Sequence, residues 1–153
     1  MGVHEAIVER LTLLRNEVNY LKKERDEVQS FQVYTDEGSL RLRRAVERSL
    51  QVATEACLDT GRRLIAEKGF RFPEDNKDVF AVLAEERVIP HEMLSALQRM
   101  VGFRNVLLHE YVKLDHAAVY GVLQKRLGDF DAYAETIVSY LEGLQTEAEG
   151  EGG

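Results

Sequence analysis

The sequence predicts an all-α protein, a single-domain up-and-down bundle of four to five helices. Three observations carry that expectation. Apolar residues recur at helical spacing through most of the chain. No alternating run of β-branched residues is bounded by hairpin turns. Only two prolines interrupt 153 residues, which leaves room for long helices.

The first helix is expected over residues 4–30, where Ile7, Leu11, Leu14, Val18, Leu21 and Val28 form a heptad seam broken only by Arg25. Such a seam more often packs within a chain than across a coiled-coil dimer. Asp36-Glu37-Gly38-Ser39 supplies a turn, with Ser39 as N-cap of the next helix. That second helix, residues 40–68, lines up Leu42, Val46, Leu50, Ala53, Cys57 and Leu64, and Gly69 is placed to end it. A loop around Pro73 leads to a short helix over residues 77–87, carrying Val79, Phe80 and Leu83. Pro90 stands near the start of a fourth helix, where a missing N–H costs little. This helix runs through Met93, Leu97, Met100, Val101 and Val106. Asp115 is the expected N-cap of the last helix, which carries Val119, Val122, Leu123, Phe130, Ile137 and Leu141. Residues 1–144 make up the bundle. The acidic, glycine-containing tail, residues 145–153, is expected to be disordered.

The balance of 44% hydrophobic and 31% charged residues is that of a soluble globular chain, and its length fits one domain. Cys57 is the single cysteine, so no internal disulfide forms and a reducing compartment is expected. No apolar run approaches a membrane span and no signal peptide is evident, so the protein is read as cytoplasmic and not membrane-bound. A net charge of −7 argues against a general nucleic-acid binder. Local charge differs: Arg41, Arg43, Arg44 and Arg48 form one cationic stretch, and Arg62-Arg63 a second. Such a stretch is more often a solvated helix face than an RNA groove.

One segment reads as chemistry: Arg104-Asn105-Val106-Leu107-Leu108-His109-Glu110-Tyr111. Arginine offers a fixed fork of donors suited to phosphate. Histidine is the side chain suited to moving protons near neutrality. Together they are a minimal toolkit for cleaving a phosphodiester. On a regular helix Asn105 and His109 lie about 40° apart, and Arg104 and Tyr111 about 20° apart. Arg104 and His109 are separated by about 140°. Either the helix is perturbed, the arginine wraps around, or the site is shared with another subunit. Taken alone, the pair is more often structural, with Arg104 paired to a carboxylate and His109 half-buried. The remaining histidines, His4, His91 and His116, lack metal-ligand spacing. His91-Glu92 and His109-Glu110 begin like a zinc-binding helix, but Ser95 and Lys113 stand where the second histidine belongs.

The pattern of Arg104, Asn105, His109 and Tyr111 resembles the signature of the HEPN ribonucleases, and the trailing tyrosine points to their HepT branch. The resemblance extends to Arg44-Ala45-Val46-Glu47-Arg48, Leu50-Gln51-Val52-Ala53 and Glu55-Ala56, which look like that family's second helix. It extends also to Phe103 ahead of the motif and to Asp115, Val119 and Tyr120 after it, and covers roughly residues 5–142. The resemblance implies the toxin of a type VII toxin–antitoxin pair, acting as a homodimer whose two motifs line one cleft. It implies metal-independent RNA cleavage, with His109 as general base or acid, Arg104 stabilising phosphoryl charge, and Asn105 orienting the imidazole or donating to phosphate. It also implies that a partner nucleotidyltransferase transfers AMP to Tyr111. This chain itself would hold no cofactor or metal; ATP and Mg²⁺ would belong to the partner. Two other readings stand beside it: a non-catalytic helical module that partners a nucleotidyltransferase, and a degenerate RNA-binding member of the superfamily.

Overall fold

A computed structural model of the chain describes residues 2–109 and 113–151. Among them are seven α-helices: α1 (Val3–Glu27), α2 (Phe31–Thr35), α3 (Leu40–Lys68), α4 (Asn76–Glu85), α5 (Leu94–Leu108), α6 (His116–Lys125) and α7 (Leu127–Glu151). Short 3₁₀ turns at Glu37–Ser39 and His91–Met93 lead into α3 and α5, and no strand occurs among the described residues. The all-α bundle is therefore present, with more helices than the four to five expected.

The heptad seam of α1 is spent inside the molecule. Ile7, Leu11, Leu14, Val18 and Leu21 are buried, and α1 packs on α3 and α7. Helix α3 has the expected bounds. It contacts α1, α4, α5 and α7 and buries Val46, Leu50, Ala53, Cys57 and Leu64 among others. Gly69 ends it in the left-handed conformation (φ 68°), its N–H bonding to the carbonyls of the last turn. Burial pushes the Cys57 thiol well above its ordinary pKa, as befits a core residue. Tyr133 of α7 donates to the Cys57 carbonyl (2.8 Å), and its hydroxyl also lies 3.0 Å from Thr60 Oγ1. These buried hydrogen bonds set the height of α7 against α3. Gly61 marks the closest approach of α4: a Cβ there would stand 2.8 Å from Val79 Cγ1.

Four local expectations change. The Ser39 side chain does not cap α3; its hydroxyl donates to the Val33 carbonyl (2.7 Å). A short helix, α2, precedes it, capped by Ser30, which accepts from the Val33 N–H (3.2 Å). The single last helix is two. Asp115 does cap α6, accepting from Ala117 and Ala118, but the chain leaves helical geometry at Arg126 (φ −117°, ψ 1°) before α7 begins. The stretch from residue 145, expected to be disordered, continues α7 to Glu151; Gln145, Glu147, Ala148 and Glu149 are good helix formers.

The fourth change concerns charge. Arg43 is buried, donating from Nη1 to the carbonyls of Tyr34 (2.8 Å) and Asp36 (2.7 Å). It is a strut that ties α2 to α3, not part of a cationic face. Arg41, Arg44 and Arg48 remain exposed. No helix among the described residues is long and apolar enough to cross a membrane.

Arg43→Ala is expected to lower the unfolding free energy by about 2 kcal/mol, the scale of hydrogen bonds from a charged group. Urea denaturation measures the loss, and hydrogen exchange should place it first in residues 30–39. An unchanged midpoint would mean that the strut carries no net stability.

Candidate functional site

Helix α5 brings the motif to the surface. Only Leu97 and Val101 are fully buried along it, while Met100, Phe103 and Leu107 are partly so. Its last turn turns outward: Asn105 is exposed, and Val106 and Leu108 keep 42% and 41% of their surface accessible. The helix ends at Leu108. His109 is its C-cap, with extended backbone (φ −84°, ψ 99°) and its N–H bonded to the Val106 carbonyl (3.2 Å). The helix is thus interrupted inside the motif, one of the three alternatives that the angular separation leaves open: Arg104 and Asn105 sit on α5, and His109 stands at its end. Tyr111, with Glu110 and Val112, lies outside the described residues.

Arg104 folds back onto α3. Its Nε donates to Glu55 Oε1 (2.6 Å), its Nη2 donates to the same oxygen, and its Nη1 donates to Asn105 Oδ1 (3.3 Å). The guanidinium side chain is only 16% exposed, against 42% for Glu55. This is the carboxylate pairing that the plainer reading of the motif anticipates. Its partner was not singled out in the sequence, because Glu55 is 49 residues away. Charge-assisted bonds of this kind are exchangeable: phosphate oxygens accept from the same fork of donors.

His109 is exposed, and among the described residues its side chain makes no hydrogen bond, either to Arg104 or to Asn105. One chain thus joins Arg104, Asn105 and Glu55 by hydrogen bonds, and among the described residues His109 is not part of that network. Beyond Glu55, the exposed flank of α3 forms a groove with α1. It has a volume of about 380 Å³ and is lined by Arg10, Leu13, Arg48, Gln51, Glu55 and Asp59. A separate, more apolar cavity of about 250 Å³ lies among α3, α5, α6 and α7 and contains no motif residue. Tyr120, close to the motif in sequence, stacks between Phe31 and Tyr34 with ring centroids 5.5 Å from each, a packing role. Among the described residues no group of three His, Cys, Asp or Glu side chains is arranged to hold a metal ion.

Comparison with known proteins follows from this geometry. A profile of the family described as Ribonuclease HepT-like matches residues 6–137. The mRNA nuclease HepT of Shewanella oneidensis is 31% identical over 110 residues, covering 69% of this chain and 83% of that protein. The tRNA nuclease HepT of Aphanizomenon flos-aquae is 25% identical over 147 residues, covering 95% of this chain and 97% of that one. Among solved structures, the tri-AMPylated HEPN toxin of Shewanella oneidensis in complex with an MNT antitoxin aligns with a TM-score of 0.79. It covers 91% of this chain and 99% of that one at 24% identity, so this likeness is one of fold.

Glu55→Ala is expected to change stability by less than about 1 kcal/mol, since the pair is partly solvated. It should also uncover the guanidinium. Modification of Arg104 by phenylglyoxal, mapped by peptide mass, should accelerate several-fold; an unchanged rate would mean that Glu55 does not shield it.

Proposed function

The chain belongs to the HepT-like ribonuclease family, and on that premise we propose that it is the toxin of a type VII toxin–antitoxin pair. It cuts RNA without a metal ion, at a site completed by a second copy, and a minimal nucleotidyltransferase silences it by transferring AMP to Tyr111. The observation that carries this reading is the helix end at Leu108. It leaves Arg104 and Asn105 on α5 and puts the exposed His109 at its C-cap, beside exposed Val106 and Leu108. Val106 and Leu108 supply apolar surface that association with a second copy would bury.

In the reaction the 2′-hydroxyl oxygen bonds to the adjacent phosphorus, and the bond from phosphorus to the 5′-oxygen breaks. His109 takes the 2′-hydroxyl proton, and the same residue of the second copy protonates the departing 5′-oxygen. A 2′,3′-cyclic phosphate results. Because the attacking group is the 2′-hydroxyl, the substrate is RNA. Charge growing on the phosphoryl oxygens falls to Arg104, a preorganised donor of the kind that stabilises such transition states. Binding then exchanges the Glu55 carboxylate for phosphate at that guanidinium, while Asn105 keeps its amide N–H₂ for the substrate or the imidazole.

AMP on Tyr111 would add bulk and a negative phosphate to the motif segment, which competes with RNA for Arg104. The AMPylated toxin and its MNT antitoxin partner, described for the Shewanella oneidensis protein, support this control. ATP and Mg²⁺ belong to the transferase.

Cleavage of cellular RNA in excess EDTA tests the reading. His109→Ala and Arg104→Ala should each lose at least about 100-fold in rate, with folding intact. Loss of wild-type activity in EDTA would overturn metal independence. Mixing His109→Ala with wild type at constant total concentration, with subunits exchanged, tests the shared site: activity should fall as the square of the wild-type fraction if both histidines act, and linearly if each chain acts alone. Incubation with the cognate transferase and ATP should add adenylyl mass that Tyr111→Phe abolishes.

A further inference from the structure

A surface feature that the reaction leaves unused is a row of arginines on α3. Arg41, Arg44, Arg48, Gln51 and Glu55 recur at alternating spacings of three and four, which places them on one stripe of the helix. From Arg41 to Glu55 the stripe runs about 21 Å along the axis. Glu55 is where Arg104 is held, so the row ends at the proposed reaction centre.

Three observations separate this row from an ordinary solvated face. First, Arg41, Arg44 and Arg48 are exposed, and no carboxylate among the described residues lies within 4.0 Å of any of them. Arg10, Arg63, Arg71 and Arg104 are paired; Arg15, Arg87, Arg99 and Arg126 are also exposed without a carboxylate among the described residues but are scattered, whereas Arg41, Arg44 and Arg48 share one stripe of one helix. Arg43, the fourth cation of the run, is consumed inside as a strut, so the row is a feature of the surface and not of composition. Second, Glu47, the one acidic side chain between Arg41 and Gln51, is half-buried and interacts with His116 and Arg43 as well as Arg44. Third, the row opens into the groove of about 380 Å³ that Arg48, Gln51 and Glu55 share with Arg10 and Leu13 of α1. At the groove's other end Asp59 is neutralised by Arg10 (3.1 Å) and Arg63 (2.8 Å).

We infer that Arg41, Arg44, Arg48 and Gln51 form the track along which the RNA backbone approaches Arg104, a substrate subsite one to several phosphates away from the scissile bond. The inference rests on the ribonuclease reading for the identity of the polyanion. Phosphates are gripped by the three guanidiniums, Gln51 donates to a phosphate or sugar oxygen, and none of the four touches the reacting atoms. An acidic protein surface would meet the same charges, but only an extended phosphodiester uses their continuity with the guanidinium at Glu55.

The test measures binding and cleavage separately. In full-length protein carrying His109→Ala, fluorescence anisotropy of a labelled single-stranded oligoribonucleotide is followed against salt. Adding Arg41→Gln, Arg44→Gln and Arg48→Gln together should weaken binding at least tenfold. The slope of log affinity against log salt should fall by about 2, on the scale of about 0.7 per phosphate contact on a single strand. Exposed Arg87, on the turn after α4, serves as the control: Arg87→Gln should change neither. In the His109-intact protein the triple substitution should raise KM and spare kcat, and the three lysine variants should recover most of the loss. Unchanged affinity and slope in the triple variant would overturn the inference, as would failure of the His109→Ala protein to bind RNA at low salt. So would a triple variant that keeps RNA but loses the cognate nucleotidyltransferase, which would make the row a protein-docking surface. Because binding is read where cutting cannot occur, failure of the cleavage reading is scored by the wild-type assay and failure of the track by anisotropy.

Discussion

The burial of α3 is the constraint on which the rest of the molecule depends. Its 29 residues are contacted by α1, α4, α5 and α7, so most of its circumference is committed to the core. What is left to solvent is a narrow stripe, and polar residues placed there must share a direction. Tyr133 reaches in from α7 to the Cys57 carbonyl and Thr60, and Gly61 lets α4 pack without a side chain between. These contacts lock the rotation of α3 about its axis. Glu55 is left half-exposed as a consequence, where the end of α5 can reach it.

Helix α5 is held differently. With two fully buried residues in its 15, it has little apolar anchorage in its second half. The pair between Arg104 and Glu55 is its polar substitute there, and a polar tether can be exchanged where a buried leucine cannot. That difference matters for a site: segments used in binding are drawn from the less stable parts of a fold. A guanidinium kept by a carboxylate is desolvated and oriented before substrate arrives, and phosphate can replace the carboxylate without changing the kind of bond.

How much of this could be read in advance depends on how local each signal is. The bounds of α3 were legible because an unbroken apolar period ends in a glycine suited to the left-handed conformation, and Asp115 announced α6 by the chemistry of its side chain. The break at Arg126 was hidden because Leu123, Leu127 and Phe130 keep helical spacing straight across it, and all three are buried. α2, with five residues, is too short to display a period. Arg43 looks like its neighbours in sequence; only the carbonyls of Tyr34 and Asp36, brought over it by the turn, distinguish it. The motif residues were legible by type and spacing. The end of α5 inside the motif was not, since no glycine or proline lies between Phe103 and Tyr111. Glu55 was legible as part of the second-helix resemblance, but its pairing with Arg104 had no local signal, being supplied by the tertiary fold.

Charge gives the same lesson at larger scale. A net charge of −7 is a poor credential for an RNA-binding protein when treated as a single number. At physiological ionic strength, however, exposed charges more than about 8 Å apart are largely screened from one another. A phosphate on the α3 stripe therefore responds to Arg41, Arg44, Arg48 and their near neighbours far more than to the glutamates of α7. The distant acidic surface still acts on slower, less specific encounters, where it disfavours polyanions that do not find the groove. The same screening limits control by modification. A negative group deters a polyanion only within a few ångströms of the guanidinium that would bind it, whatever the excess charge elsewhere.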